Sequence, residues 1–285
     1  MVISMRPGQW VKNVVIFAAL VFSQNLLDPA MVVGAFLAFG LFCLLSSAGY
    51  LMNDVADRRR DAGHPVKRNR PVAGGRLGAG TAAAAASVLG AGSIAGAWLL
   101  SPAFGATALG YAALMAAYSF YLKRVVIIDV FAIAAGFVLR AAAGAEAIGV
   151  PISDWLLVCV ILLSLFLALA KRRQELAAAG DGENLARPVL GQYSEKLLDQ
   201  MIAVAAAAAV VCYGLYTLWP ETVARLGTSD LKYTVPLAVF GIFRYLFLVY
   251  RRQGGEQPER ALLTDPWILG DILVYGALVW YLLYR

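Results

Sequence analysis

The chain has 285 residues, of which 61% are hydrophobic and 15% charged, with a formal net charge of +6 and a mean hydropathy of +0.71. Soluble domains carry roughly a quarter of their residues charged. The composition therefore excludes a water-soluble globular protein and makes the membrane, not nucleic acid, the expected setting.

Apolar runs long enough to cross a bilayer as helices fall at about 13–29, 31–52, 80–100, 103–122, 126–149, 153–170, 198–219, 232–250 and 267–284, nine in all. None alternates with period two, which excludes a transmembrane barrel and predicts an all-α integral membrane bundle of about nine transmembrane helices. The first run follows Arg6 and Lys12, has no small-residue cleavage site and is succeeded by many others, so it is expected as a retained span. No linker divides the chain, and residues 1–285 are expected to form a single transmembrane domain.

The second run ends in Asn53-Asp54-Val55-Ala56-Asp57-Arg58-Arg59-Arg60-Asp61. Positions four apart on a helix drift slowly round one face, so Asn53, Asp57 and Asp61 share an arc with Asp54 at its edge. Side chains so crowded repel one another unless a cation gathers them. Oxygen-only donors suit Mg2+, which keeps several waters and is completed by substrate phosphates. The following loop, His64-Pro65-Val66-Lys67-Arg68-Asn69-Arg70-Pro71, is basic and stiffened by its prolines. Carboxylates for a metal, with cations close behind for the remaining phosphate charge, form an arrangement for holding a diphosphate.

Tyr118 and Lys123-Arg124 close the fourth run, and Asp129 opens the fifth, in position to orient Lys123 or Tyr118. Lys171-Arg172-Arg173 with Glu175 follows the sixth. Arg140, Glu146, Arg244 and Asp271 lie within runs, where ionisable groups are costly; structural pairing and function are equally open for them. Cys43, Cys159 and Cys212 sit in apolar runs without pairing or metal spacing and read as core residues. A cytoplasmic amino terminus puts the basic segments 53–79, 171–197 and 251–266 inside and leaves Arg225, Lys232 and Arg285 outside, as the positive-inside rule requires. An active site is then expected on the cytoplasmic side of the plasma (inner) membrane.

The Asn-Asp-x-x-Asp-x-x-x-Asp pattern on the second of nine spans, with Tyr118-Ser119 ahead of Lys123, resembles the UbiA-type prenyltransferase superfamily. Four further segments resemble its decaprenyl-phosphate phosphoribosyltransferase branch: Arg6-Pro7-Gly8-Gln9-Trp10-Val11-Lys12-Asn13, His64-Pro65-Val66-Lys67, Tyr118-Ser119-Phe120-Tyr121-Leu122-Lys123 and Lys171-Arg172-Arg173-Gln174-Glu175-Leu176. The resemblance implies Mg2+-dependent transfer of 5-phosphoribose from 5-phosphoribosyl diphosphate to a polyprenyl phosphate, releasing pyrophosphate, in arabinan precursor synthesis. It implies metal-diphosphate ligation by Asn53, Asp57 and Asp61, with Asp54 a ligand or close support. Lys12, Asn13, His64, Lys67, Arg68, Arg70, Tyr118, Lys123, Arg124, Asp129, Lys171, Arg172, Arg173 and Glu175 are the expected substrate contacts.

The sequence departs from the superfamily after the sixth span, where a second acidic motif is expected and Lys171-Arg172-Arg173 stands instead. A basic cluster there suits a substrate pair richer in phosphate than a prenyl diphosphate and an aromatic acceptor. A prenyltransferase with an isoprenyl diphosphate donor remains the alternative enzyme, and a lipid transporter the alternative outside enzymes. Self-association into a homo-oligomer is left open.

Overall fold

A computed structural model of the chain describes residues 1–63, 67–179, 188–251 and 264–285. Every regular element among them is helical. The chain runs through α1 (Val2–Met5), a 3-10 segment (Pro7–Ile16), α2 (Phe17–Phe22), α3 (Pro29–Ala62), α4 (Ala79–Leu100), α5 (Pro102–Phe120) and α6 (Ile128–Ile148). It continues through α7 (Asp154–Ala179), α8 (Glu195–Leu218), α9 (Pro220–Leu226), α10 (Val235–Arg251) and α11 (Pro266–Tyr284). Among the described residues, eight helices are long and apolar enough to cross a membrane, and they coincide with the second to ninth apolar runs.

Local chemistry sets their starts. Asp28 accepts from the backbone N–H of Ala30 and Met31 with Pro29 at the first helical position, and Ser101 ahead of Pro102 and Asp265 ahead of Pro266 repeat the device. The 34 residues of α3 rise about 51 Å at 1.5 Å each, against about 30 Å of hydrocarbon. Several turns therefore extend past the apolar core, and the acidic motif sits on them.

The first apolar run differs from expectation. It carries the ten-residue 3-10 segment and the six-residue α2 in place of one long α-helix. Pro7-Gly8 opens the segment, and Val11, Val14, Val15 and Ile16 are β-branched, which lowers α-helix propensity. At about 2.0 Å per 3-10 residue and 1.5 Å per α residue the two together extend about 29 Å.

The contacts group the chain into two compact units, one of residues 1–123 with 135–152, the other of 124–134 with 153–285. In the first, Ile16, Phe42, Phe104, Tyr111 and Ala143 lie in one buried cluster, with Leu51, Val72, Ala82 and Ala86 in a second beneath the acidic end of α3. Gly144 on α6 lets the 3-10 segment approach closely: a Cβ there would lie 2.0 Å from the Ile16 carbonyl oxygen. In the second unit, α7, α8 and α10 contribute Phe166, Leu169, Ile202, Ala206, Tyr245 and Leu248 to a single core, joined by Val130 and Ala134 from the start of α6.

Candidate active site

The acidic residues occupy the last turns of α3, and the helical repeat divides them. At 100° per residue, Asn53, Asp57, Asp61 and Asp54 fall at about 0°, 40°, 80° and 100° around the axis. The side chains are gathered in the same two pairs. Lys123 Nζ donates to Asn53 Oδ1 at 3.2 Å and to the two Asp57 carboxylate oxygens at 3.0 and 2.8 Å. Arg70 Nη1 reaches Asp61 at 2.6 Å and Asp54 at 3.3 Å. Arg6 forms a further ion pair with Asp54 while lying over the Tyr50 ring, and Arg60 reaches Asp57 at 2.6 Å from the exposed rim. Asp54 and Asp61 are 2% and 3% exposed and Lys123 8%, so these charges need their partners.

Each cation is delivered by a break in helical structure. Lys123 lies on the 3-10 turn Leu122–Arg124 that follows α5. Arg70 is on the loop after α3, where its N–H donates to the Lys67 carbonyl and its carbonyl accepts from Gly74. Arg6 has φ of 53° between α1 and the 3-10 segment, a left-handed conformation uncommon for a residue with Cβ.

The donor set fits a divalent cation. Asn53 and Asp57 already converge on one positive point, and Asp54 and Asp61 on another. Among the described residues no three His, Cys, Asp or Glu side chains gather at one point. A divalent cation held by these residues would have one or two protein carboxylates and would leave its other positions to phosphate and water, the habit of Mg2+.

Asn13, expected as a substrate contact, is fully buried and committed elsewhere. Its Oδ1 accepts from Arg140 Nε at 2.7 Å, and its Nδ2 donates to Ser46 Oγ and Cys43 Sγ, both at 3.3 Å. Arg140 also donates to the Gly136 carbonyl at 3.0 Å and the Tyr111 hydroxyl at 2.7 Å, with its guanidinium over the Tyr111 and Phe137 rings. This buried cation thus ties the 3-10 segment to α5 and α6. Lys12 and Tyr118 are half-buried, Lys67 is half-buried, and Arg68 and Arg124 are exposed; His64 lies outside the described residues.

In the second unit, Arg172 and Arg173 of the expected substrate contacts Lys171-Arg172-Arg173 are engaged by protein carboxylates. Arg172 is fully buried, with Nε on Asp129 at 2.7 Å and Nη1 on Glu175 at 2.8 Å. Asp129 is also fully buried; it serves Arg172, and it accepts from the Tyr193 hydroxyl at 2.7 Å. Tyr193 in turn accepts from the N–H of Ile127 at 2.7 Å, holding a β-branched residue at φ of 69°. Burial and the bond to Asp129 keep the Tyr193 hydroxyl protonated well above the ordinary phenol range. Arg173 pairs with Asp199 and Glu195, both at 2.9 Å, and Lys171 is half-buried. The physical reason is proximity: Asp129 and Glu175 lie against Arg172, and Glu195 and Asp199 against Arg173.

Of the residues left open, Arg244 pairs with Asp265 at 2.8 Å, Glu146 is exposed, and the Asp271 carboxylate packs against Gly241, where an added Cβ would lie 2.9 Å from Oδ2. Arg6 and Arg60 join the site without having been singled out. Both carried a faint signal, a basic residue next to a motif. Tyr193 carried none, because its partner Asp129 is 64 residues away.

The fold and this site define an integral membrane protein that clusters acidic oxygens and basic side chains at one helix end, the equipment of an enzyme that handles diphosphates. The model of the UbiA prenyltransferase family matches residues 13–265, and the chain belongs to that family. It is 35% identical to a decaprenyl-phosphate phosphoribosyltransferase of Mycobacterium tuberculosis over 97% of this chain and 90% of that one. It is 33% identical to a protein of the same name from Mycolicibacterium smegmatis, over 92% of this chain and 85% of that one. A UbiA homolog from Archaeoglobus fulgidus, solved with GPP and Mg2+, superposes with a TM-score of 0.73 at 20% identity, covering 96% of this chain and 97% of that chain. That likeness shows the fold.

Proposed function

We propose that this protein transfers 5-phosphoribose from 5-phosphoribosyl diphosphate to a decaprenyl or similar polyprenyl phosphate, with Mg2+, on the cytoplasmic side of the plasma membrane. The observation that carries the reading is the end of α3, where Asn53, Asp57, Asp54 and Asp61 are matched by Lys123, Arg70 and Arg6. The choice of donor is supported by the relatives' names; with Arg172 and Arg173 held by protein carboxylates, the basic cluster after α7 does not by itself select it. Similarity along 92–97% of the chain supports one transferase domain spanning residues 1–285.

In this reading Asn53 and Asp57 hold the metal-diphosphate, with Asp61 and Asp54 beside them. The bound ion supplies neutralisation of the charge that develops on the departing diphosphate. Lys123, Arg70 and Arg6 take the phosphate charge that remains and fix the donor, so that C1 of the ribose is presented to the lipid phosphate. The C1–O bond to diphosphate breaks, and a C1–O bond to the acceptor phosphate forms from the opposite face with inversion. The acceptor is an anion at neutral pH, so no side chain has to remove a proton. Purified protein in detergent, given labelled phosphoribosyl diphosphate, Mg2+ and decaprenyl phosphate, is expected to yield a labelled lipid and free pyrophosphate. Retention of all label in the aqueous phase would contradict the proposal.

A further inference from the structure

We infer that Lys123 and Arg70 stand in for the metal when the site is without donor, so that divalent cation and diphosphate enter as one complex and these two residues then change partners from carboxylate to phosphate. The inference rests on the functional reading above and adds a binding order to it.

The geometry makes the first point. Lys123 Nζ lies 2.8–3.2 Å from Asn53 Oδ1 and both Asp57 oxygens, a position at which these three oxygens share one cation. A divalent ion bound at about 2.0–2.1 Å cannot share that point with an ammonium. Arg70 Nη1 holds the corresponding position between Asp61 and Asp54.

Charge makes the second. Three carboxylates, Asp54, Asp57 and Asp61, face the buried Lys123 and the half-buried Arg6 and Arg70, with Arg60 reaching Asp57 from the exposed rim. Every carboxylate of the cluster already has a cationic partner. A divalent cation arriving alone would displace Lys123, which is 8% exposed, from its counter-charge, which is strongly unfavourable for a buried ammonium, and would likewise cost the half-buried Arg70 its carboxylates. Arriving with a diphosphate, it brings the anion that receives them. The long, flexible lysine stem, on a turn after α5, suits such an exchange.

Thermodynamic linkage makes the effect measurable: the factor by which pyrophosphate tightens metal binding must equal the factor by which metal tightens pyrophosphate binding, with coupling typically about 5–150-fold. Mn2+ is titrated into the full-length protein in detergent by electron paramagnetic resonance, with and without inorganic pyrophosphate. The wild type is expected to bind Mn2+ weakly alone and about tenfold or more tightly with pyrophosphate. Lys123→Met is expected to bind Mn2+ alone more tightly than the wild type and to lose most of the pyrophosphate enhancement. Lys123→Arg, which keeps the charge, should not gain Mn2+ affinity. Should Lys123→Met fail to fold, Arg70→Gln tests the second position with the same expected gain. Equal or weaker Mn2+ binding in the folded charge-removing variants, or no enhancement in the wild type, overturns the exchange while leaving the transferase reading standing if labelled lipid still forms. Mn2+-pyrophosphate binding that survives Asp57→Asn overturns both.

Discussion

The residue that best shows how charge is handled at a helix end is Asp265. Its carboxylate caps α11 through the N–H groups of Trp267 and Ile268 and pairs with Arg244. The Arg244 hydrogen bond, with help from the two backbone donors and against burial, holds Asp265 below the usual carboxylate range. A depressed folded value means stability that is complete above the unfolded pKa, about 3.9, and is lost as pH falls through the folded value. Thermal unfolding in detergent should therefore show stability falling below about pH 4, and Asp265→Ala should flatten that fall while lowering stability at neutral pH by about 0.5–2 kcal/mol, the range for losing a cap. An unchanged acid profile in the variant would remove Asp265 from the account.

Arg172 and Asp129 pose the complementary case, a pair with no exposure at all. Removing one partner strands the other, at a typical cost of about 3–5 kcal/mol. Arg172→Met and Asp129→Asn should each lower the unfolding temperature strongly, and the double variant should lose less than the sum of the two. If Arg172→Met instead kept its stability and lost donor affinity, the residue would be a substrate contact after all. Asn13 and Arg172 both look available in the sequence and both are spent inside. Arg140 lies 127 residues from Asn13 and Asp129 43 from Arg172, and no spacing rule connects residues so far apart; only the Arg172–Glu175 pair, three residues apart on one helix, is of a kind that spacing shows. The α3 motif was legible because its chemistry is local, four oxygen-bearing side chains within nine positions.

Among elements, α3 and the 3-10 segment Pro7–Ile16 show opposite degrees of legibility. The start of α3 is written in Asp28-Pro29 and its apolar length in the hydropathy, so its position follows from sequence. The 3-10 segment does not, because an apolar run with β-branched residues reads equally as a regular span. What fixes it is tertiary: its carbonyl at Ile16 presses on Gly144, and Asn13 is pinned by Arg140. Gly144→Ala should therefore destabilise the first unit by about 1–3 kcal/mol or more, since a backbone atom rather than a flexible side chain must move. Gly110→Ala on α5, where an added Cβ meets nothing within 4 Å, is the control expected to fold normally. Equal unfolding temperatures for the two would show that the contact at Gly144 is not close in solution.

At the scale of the molecule, a long first-unit helix passes beyond the apolar layer carrying carboxylates, and three cations from three breaks in helical structure meet them there. Membership of the UbiA prenyltransferase family gives this arrangement its chemical context, and the named relatives give the proposed donor. The most direct measurement is the partition of label from phosphoribosyl diphosphate into lipid with Mg2+ and decaprenyl phosphate, run beside geranyl diphosphate, with wild type and Asp57→Asn compared. Labelled lipid is expected from the phosphoribosyl donor with the wild type, and a loss of about a hundredfold or more with Asp57→Asn, the scale for removing a group that stabilises developing charge. Full transfer by Asp57→Asn, or label entering lipid only from geranyl diphosphate, would contradict the proposed function.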